Sequence, residues 1–163
     1  MNFKYLNLIF VTSFLLSGCI SSLFKEAAPT FSNEINLPSL PQSYNKINGV
    51  TYPSWKNKTT SNVISVLSDC TDSYLDLKSS HALITNVIEN ETVLEEKKTT
   101  LQNTKAYFRK VTGLLDGEKI EILSVSFKYK KCIYLSSLSG SNQKLAADID
   151  AWTAFNEKIE FKK

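Results

Sequence analysis

The stretch KAYFRKVTGLLDGEKIEILSVSFKYKKCIYLSSL, residues 105–138, decides the fold because β-rich runs in it are separated by short turn signals. Asp116-Gly117 between two such runs is a strong signal for a two-residue hairpin, and Tyr129-Lys130-Lys131 suits another tight reversal. A further run precedes the stretch across a turn at Gln102-Asn103. The four runs are residues 92–101, 105–115, 118–129 and 131–138. They predict an antiparallel meander.

Two helices and one more strand are predicted around this meander. Residues 63–68, VISVLS, have apolar side chains on both sides of the pleat, which is typical of a central strand. Thr71 or Asp72 can cap a following helix. Its apolar stripe is Tyr74, Leu77, His81, Ile84 and Ile88. We therefore expect an α+β fold: an antiparallel sheet of about five or six strands with two helices packed on it, as in an α/β/α sandwich.

The second predicted helix closes the chain, with Ser141 or Asn142 as its cap. Its apolar stripe is Leu145, Ile149, Trp152, Phe155 and Ile159, whereas the residues expected to face solvent are Lys144, Asp148, Glu157 and Lys158. This division predicts a helix that covers the sheet, with Trp152 as its most deeply buried residue.

The N-terminus has the pattern of a secretory signal. Lys4 supplies a positive charge, and residues 6–16 form an apolar run too short to span a bilayer. Leu16-Ser17-Gly18-Cys19 resembles a bacterial lipobox, which implies acylation and cleavage at Cys19. The sequence thus divides into a signal peptide (1–18), the lipidated Cys19 with a flexible tether (19–49), and one globular domain (50–163). Part of the tether can alternatively dock on the domain or on the membrane surface.

Composition and cysteine use fit a protein of the bacterial envelope. The chain has 19 basic and 16 acidic residues, and this near-neutral balance argues against a nucleic-acid binder. Once Cys19 is assigned to lipid, Cys70 and Cys132 remain as one pair in an oxidising compartment, where a disulfide is expected. Ile20 stands where an aspartate would favour inner-membrane retention in related lipoproteins, so we expect anchoring at the outer membrane.

A broader resemblance covers residues 54–161. It is carried by residues 53–57 (PSWKN), 64–70 (ISVLSDC), 113–117 (GLLDG), and 127–134 (FKYKKCIY), followed by an aromatic helix. These segments resemble a group of small bacterial envelope lipoproteins. The order of sheet and helices is more distantly similar to the PsbP/Mog1-like α/β/α sandwich. The resemblance implies a fold and a Cys70–Cys132 pairing, and it brings no substrate with it.

Residues with catalytic chemistry are few. His81 is the only histidine, and its place on an apolar stripe predicts a core or boundary residue. Asp69 and Asp72 are interpreted as turn and cap residues. We expect no cofactor and no metal site, because two cysteines and one histidine are too few for structural zinc. The chain also lacks a nucleophile elbow and a glycine-rich phosphate loop.

Basic residues recur along the meander, and two tyrosines, Tyr107 and Tyr129, lie among them. The basic residues are Lys97, Lys98, Lys105, Arg109, Lys110, Lys128, Lys130 and Lys131. They can form a surface for an anionic partner, or they can protect sheet edges against aggregation. From the sequence we expect a non-enzymatic lipoprotein that binds an envelope protein or ligand through its sheet or loops. The alternatives are a small envelope hydrolase that uses His81, and a purely structural surface lipoprotein.

Overall fold

The computed structural model describes residues 31–71 and 76–163. Seven strands of these residues form one antiparallel sheet, and two short strands form a second sheet. The strands are β1 (Ile35–Asn36), β2 (Tyr44–Lys46), β3 (Ser54–Asn57), β4 (Val63–Asp69), β5 (Glu89–Leu101), β6 (Thr104–Leu115), β7 (Glu118–Tyr129), β8 (Cys132–Ser141) and β9 (Glu160–Phe161). The main sheet has the order β2-β3-β4-β8-β7-β6-β5, and β1 pairs with β9. The predicted α+β class is confirmed, with more strands than expected.

The meander of β5 to β8 follows the predicted turns. Gln102 and Asn103 have φ values of 47° and 65°, and Asp116 and Gly117 have values of 51° and 80°. Positive φ at both central residues defines the type I′ turn, whose twist matches that of the flanking strands. Lys130 also has a positive φ in the last turn. Strand β4 lies inside the sheet between β3 and β8, as its apolar sequence predicted.

Helical segments cover the two faces of the sheet. One face carries α2 (Asn142–Leu145), a 3₁₀ helix (Ala146–Asp148) and α3 (Ile149–Glu157). The other face carries a 3₁₀ helix (Ser79–His81) and α1 (Ala82–Thr85). The larger core lies under α3 and includes Ile64, Val66, Phe127, Tyr134 and Leu138. A smaller core under α1 contains Ile88, Val111 and Ile122.

The folded region begins earlier than predicted. The sequence placed a flexible tether at 19–49, but β1 and β2 both lie in that segment. Ile35 pairs with Phe161, and Tyr44 pairs with Asn57. Both Ile35 and Tyr44 are buried, so the apolar residues of this segment are part of the core. Residues 31–49 therefore belong with the domain, which agrees with the alternative in which part of the tether docks on it.

The helix predicted to start at Thr71 or Asp72 is much shorter. Only the segment from Ser79 to Thr85 is helical, and residues 72–75 lie outside the described part. Ile88 follows the helix and is buried just before β5 begins. It fits there because Gly113 has no side chain: a Cβ at Gly113 would lie 2.2 Å from Ile88 Cγ2. Close contact of Ile88 with β6 thus fixes the chain at the point where it enters β5.

The last helix differs from the prediction at two residues. Asp148, expected in solvent, is 3% exposed. Trp152 is 5% exposed, whereas Ile159 is fully buried, so Trp152 is not the deepest residue. The indole Nε1 donates a hydrogen bond to Ser136 Oγ at 3.0 Å. The polar edge of the ring therefore has a partner within the core. Ile159 lies deeper because α3 ends at Glu157 and the chain then crosses the core to reach β9.

Candidate functional site

Cys70 and Cys132 are joined by a disulfide, with their Cα atoms 4.1 Å apart. The bond links the residue after β4 to the first residue of β8, beside the paired residues Asp69 and Ile133. It therefore fixes the end of the sheet where these two strands meet. Cys19 lies outside the described residues, and its acylation stays a prediction.

Asp69 has the turn role that the sequence predicted. Its Oδ1 accepts hydrogen bonds from the backbone N–H and the hydroxyl of Thr71, at 2.9 and 2.6 Å. Asp72 lies outside the described residues. Within residues 31–71 and 76–163, no group of three or more potential metal ligands comes together. The same residues contain no helix with the length and hydrophobicity needed to cross a bilayer.

His81 is buried between the sheet and the segment that leads into α1. Its Nδ1 lies 2.7 Å from Ser124 Oγ, and its Nε2 lies 3.2 Å from Ser126 Oγ. The Ser126 hydroxyl donates to the carbonyl of Leu77, so its oxygen accepts a hydrogen bond from the N–H at Nε2. In the neutral ring Nδ1 then accepts a hydrogen bond from the Ser124 hydroxyl, for which the carbonyl of Arg109, at 3.2 Å, is the more distant alternative acceptor. The side chain of Tyr107 packs edge-on against the imidazole at 5.8 Å.

The surroundings keep this histidine neutral. Burial lowers the pKa of His81 to about 4, and the positive charge of Arg109 acts in the same direction. A neutral imidazole beside a serine hydroxyl is the start of a nucleophilic arrangement. The imidazole of His81 and the hydroxyl of Ser124 are both buried, however, so neither is accessible to a substrate within the described part of the chain. The hydrogen bond between His81 and Ser124 joins the 77–88 segment to the sheet.

A second polar cluster surrounds Asp148, and the sequence did not predict it. Its carboxylate accepts hydrogen bonds from Tyr44 Oη, Asn57 Nδ2, Thr60 Oγ1 and Asn62 Nδ2, at 2.5, 2.6, 2.5 and 2.7 Å. Burial raises the pKa of Asp148, but the four donors outweigh it and hold the pKa below its usual value. The cluster joins the segment 44–62 to the helical face.

Glycine at position 140 makes room for this cluster. A Cβ at Gly140 would lie 1.9 Å from Asn62 Oδ1. Asn62 Nδ2 also donates to the carbonyl of Lys144 at 2.9 Å. The only local sign of the cluster in the sequence is the polar run before β4, which is also typical of an ordinary loop.

The eight basic residues of the meander do not share one surface. Residues paired across neighbouring strands lie on the same face, so the register puts Lys97 and Lys110 on the α3 side and Lys98 and Arg109 on the α1 side. Four of the eight form ion pairs: Lys97–Glu95, Arg109–Glu91, Lys110–Glu121 and Lys130–Glu34. Among the described residues, Lys98, Lys105, Lys128 and Lys131 have no ion-pair partner.

Strand β5 forms a long edge of the sheet. It has 13 residues, and its outer side pairs with no strand of the described chain. Val93 and Leu94 are about half exposed on it. The turn at 102–103 makes Leu101 and Thr104 a hydrogen-bonded pair, so the backbone groups of Thr99 and Lys97 face β6. Those of Lys98 and Thr100 face outward and can pair with another chain.

A shallow apolar groove of about 280 Å³ lies between α3 and the segment before β2. Leu40 and Pro41 line one side, and Ala151, Ala154 and Phe155 line the other. Lys158 supplies a charge at the rim. The groove has few polar groups to orient a ligand.

Comparison with known proteins shows a shared fold. No family model matches this sequence, and no curated protein matches it. Among solved structures, LpqN of Mycobacterium tuberculosis, described as involved in cell envelope biogenesis, is similar with a TM-score of 0.60 and 11% identity. The match covers 79% of this chain and 83% of LpqN.

Two further structures share the architecture. Cyanobacterial PsbP (CyanoP) of Synechocystis sp. PCC 6803 matches with a TM-score of 0.57 and 7% identity, over 78% of this chain and 86% of that one. The protein PA94 of Pseudomonas aeruginosa matches with a TM-score of 0.52 and 14% identity, over 83% and 86%. The distant PsbP-like resemblance is therefore confirmed as a likeness of fold.

Proposed function

We propose that this chain is a non-enzymatic lipoprotein of the bacterial envelope, held at the outer membrane by acylated Cys19. The observation that carries the proposal is Leu16-Ser17-Gly18-Cys19 directly after a short apolar run. Several acyl chains on one residue give lasting membrane attachment, so the domain needs no apolar anchor of its own. The fold shared with LpqN, a protein of envelope biogenesis, supports an envelope location.

The proposed partner is an envelope protein that adds an extended segment to the outer edge of β5. Main-chain hydrogen bonds supply the affinity in this mode, and alternate side chains supply the specificity. Glu96 and Lys98 lie on one face of the strand, and Glu95 and Lys97 lie on the other. Glu96 pairs with Lys78, and Glu95 pairs with Lys97, at exposed positions where a partner's charges can replace these weak contacts. A partner strand with the complementary order fits this edge.

Fatty-acid labelling in cells tests the anchor. We expect wild type and the control Ser22→Ala to incorporate a fatty-acid analogue and to sediment with membranes. Cys19→Ala removes the thiol that is acylated, so label and membrane attachment are both expected to be lost. A Cys19→Ala protein that still takes up label would refute the proposed anchor.

Two proline variants of β5 test whether a partner segment pairs with its outer edge. The N–H of Lys98 faces outward, so Lys98→Pro blocks pairing with a partner and spares the β5–β6 ladder. Thr99→Pro removes a ladder bond and serves as the stability control. A photo-crosslinker at Leu94 is expected to give a discrete adduct in cells, and one at Lys119 is not. The proposal predicts that Lys98→Pro removes the adduct without a large change in melting temperature.

The hydrolase alternative rests on the 2.7 Å contact between His81 and Ser124. It requires the 77–88 segment to move away from the sheet before a substrate can bind. His81→Gln separates the two readings. If the purified wild-type protein hydrolyses an ester or amide substrate and the folded variant does not, the protein is an enzyme. If no adduct and no activity are found, the purely structural lipoprotein is favoured.

A further inference from the structure

The described chain begins beside one particular end of the sheet. The backbone N–H of Ser32 donates to Ser68 Oγ at 2.8 Å, near the end of β4. The hydroxyl of Tyr134 donates to Ser32 Oγ at 3.0 Å, near the start of β8. The ring of Phe31 packs edge-on against Tyr134 at 6.3 Å. The segment that leads back to Cys19 therefore leaves the domain at the end that carries the turns 102–103 and 130–131.

This end carries an excess of basic residues, and we call it the basic end. It is defined by Lys105, Lys128, Lys130, Lys131, Lys162 and Lys163, with the carboxylates of Glu34, Asp69 and Glu160. The hydroxyl of Tyr129 donates to the carbonyl of Lys162, which brings the last residues of the chain to the turn between β7 and β8. The six lysines are exposed. Six lysines against three carboxylates give a formal charge of +3, and the charges of Glu157 and Lys158, which lie beside Gln102 at the same end, cancel each other.

The rest of the described domain is balanced. The whole chain has a net charge of +3, and the charges of Lys4, Lys25, Glu26 and Asp72, outside the described residues, cancel. The described residues thus also carry +3, all of it accounted for by the basic end. Lys105 and Lys128 lie next to the paired residues Ala106 and Phe127 on neighbouring strands, where like charges without a counter-charge are unfavourable.

The length of chain before Phe31 restricts which end can reach a membrane. Eleven residues lie between Cys19 and Phe31, and the twelve Cα–Cα steps that join these two residues can span at most about 43 Å. Strand β7 is 12 residues long, which corresponds to roughly 40 Å from the basic end to the Asp116-Gly117 turn. The far end could touch the membrane only if the connecting chain were almost fully extended along the domain.

We infer that the basic end faces the membrane in which Cys19 is anchored and contacts the phosphate groups of anionic phospholipids there. The inference rests on the proposed acylation of Cys19 and adds the orientation of the domain and the chemistry of the contact. Lysines near an anionic surface are attracted over about one Debye length, roughly 8 Å at physiological salt. Tyr129 and Phe161, stacked at 4.6 Å and half-buried, add aromatic surface at the same end.

Lysine acetylation of the acylated protein tests the inference. The protein is reconstituted in phosphatidylcholine vesicles with and without phosphatidylglycerol, and the reaction of each lysine is followed by mass spectrometry. With phosphatidylglycerol, Lys128, Lys131 and Lys163 are expected to react roughly fivefold more slowly, the factor that corresponds to about 1 kcal/mol per lysine. Lys119 and Lys144, at the opposite end, should not change. Salt of about 1 M should abolish the protection, because the Debye length falls to about 3 Å.

Two triple variants with the same loss of charge provide the control. Lys105→Gln/Lys128→Gln/Lys131→Gln should remove most of the protection of Lys163, whereas Lys56→Gln/Lys119→Gln/Lys144→Gln should leave it intact. Equal protection of the lysines at both ends of the domain would overturn the inference. Protection that is the same in vesicles with and without phosphatidylglycerol would also overturn it. The mass of the N-terminal peptide reports acylation separately: acylated Cys19 with an unprotected basic end refutes this inference alone, and unmodified Cys19 refutes the proposed anchor.

Discussion

The phenol of Tyr44 donates a hydrogen bond to the carboxylate of Asp148 across 104 residues of sequence, with the two oxygens 2.5 Å apart. Tyr44 lies in the edge strand β2, and Asp148 lies at the start of α3. The contact joins the most N-terminal strand of the main sheet to the helical layer. Burial and the carboxylate both raise the pKa of Tyr44, so the phenol keeps its proton and remains a donor.

Asp148→Asn should lower the free energy of unfolding by roughly 2–4 kcal/mol. The amide can accept fewer of the four donated hydrogen bonds and turns an NH₂ group toward other donors, which leaves buried groups unsatisfied. Thermal or urea unfolding measures the change. Asp150→Asn is the matched control, since Asp150 lies two residues after Asp148 and is exposed, so the loss of its charge should be nearly neutral. Equal effects of the two substitutions would contradict the role given to Asp148.

The stability of the domain should fall as the pH drops from about 6.5 to about 4. His81 is neutral in the folded state and has a pKa of about 4 there, but it titrates near 6.5 when unfolded. Between these values the unfolded state binds more protons, so acid favours unfolding. The difference corresponds to about 3 kcal/mol.

His81→Gln should flatten this pH dependence. Glutamine can hydrogen-bond to the serines but does not titrate, and His81 is the only histidine in the chain. Urea unfolding of both proteins between pH 4 and 7 gives the comparison. A wild-type curve with no slope in this range would show that His81 binds protons as readily in the folded protein as in the unfolded chain.

Reduction of the Cys70–Cys132 disulfide should destabilise the domain without abolishing the fold. The bond closes a loop with a sequence separation of 62, for which chain-entropy arguments give about 4 kcal/mol. We expect a melting temperature about 10–20 °C lower in reductant. Cys70→Ala/Cys132→Ala should melt at the same temperature with and without reductant. Two free thiols in the untreated envelope protein would contradict the pairing.

Trp152→Ala should cost about 3–5 kcal/mol, because the indole is buried under α3 and bonded to Ser136. Trp152→Phe keeps most of the apolar surface and loses the hydrogen bond, so its cost should be nearer 1–2 kcal/mol. Unfolding curves of the two variants measure both values. An alanine variant that melts like wild type but loses its partner would make Trp152 a binding residue instead.

The parts of the fold that could be predicted from the sequence are those with local signals. Asp116-Gly117 and Gln102-Asn103 mark turns whose strands are adjacent in the chain, so periodicity and turn chemistry were enough to predict the meander. Strands β1 and β2 are only two and three residues long. β1 pairs with β9 near the other end of the sequence, and β2 pairs with the next strand, β3, across residues 47–53, a longer connection than a two-residue turn. The apolar residues in and around β1 and β2 were the only sequence signal that these two strands are ordered.

The same distinction explains the errors around Asp148. A helical stripe tells which side of a helix is apolar, but the donors to Asp148 come from residues 44–62 and cannot be read from the helix itself. The stripe also does not order its residues by how deeply they are buried, so it could not show that Ile159 lies deeper than Trp152. His81 was predicted as a core residue from its spacing, but its two serine partners follow only from the register of β7.

The pairing of β4 with β8 sets the order in which the domain can fold. Each strand of the meander meets its neighbour through a two-residue turn, whereas Asp69 pairs with Ile133 and Val63 with Ser139, 64 and 76 residues away. Loops of this length close slowly compared with hairpins. Strands β2, β3 and β4 can pair with one another early, because short loops connect them, but they can join the meander only after β8 has been synthesised. The Cys70 thiol likewise reaches Cys132 only at that stage.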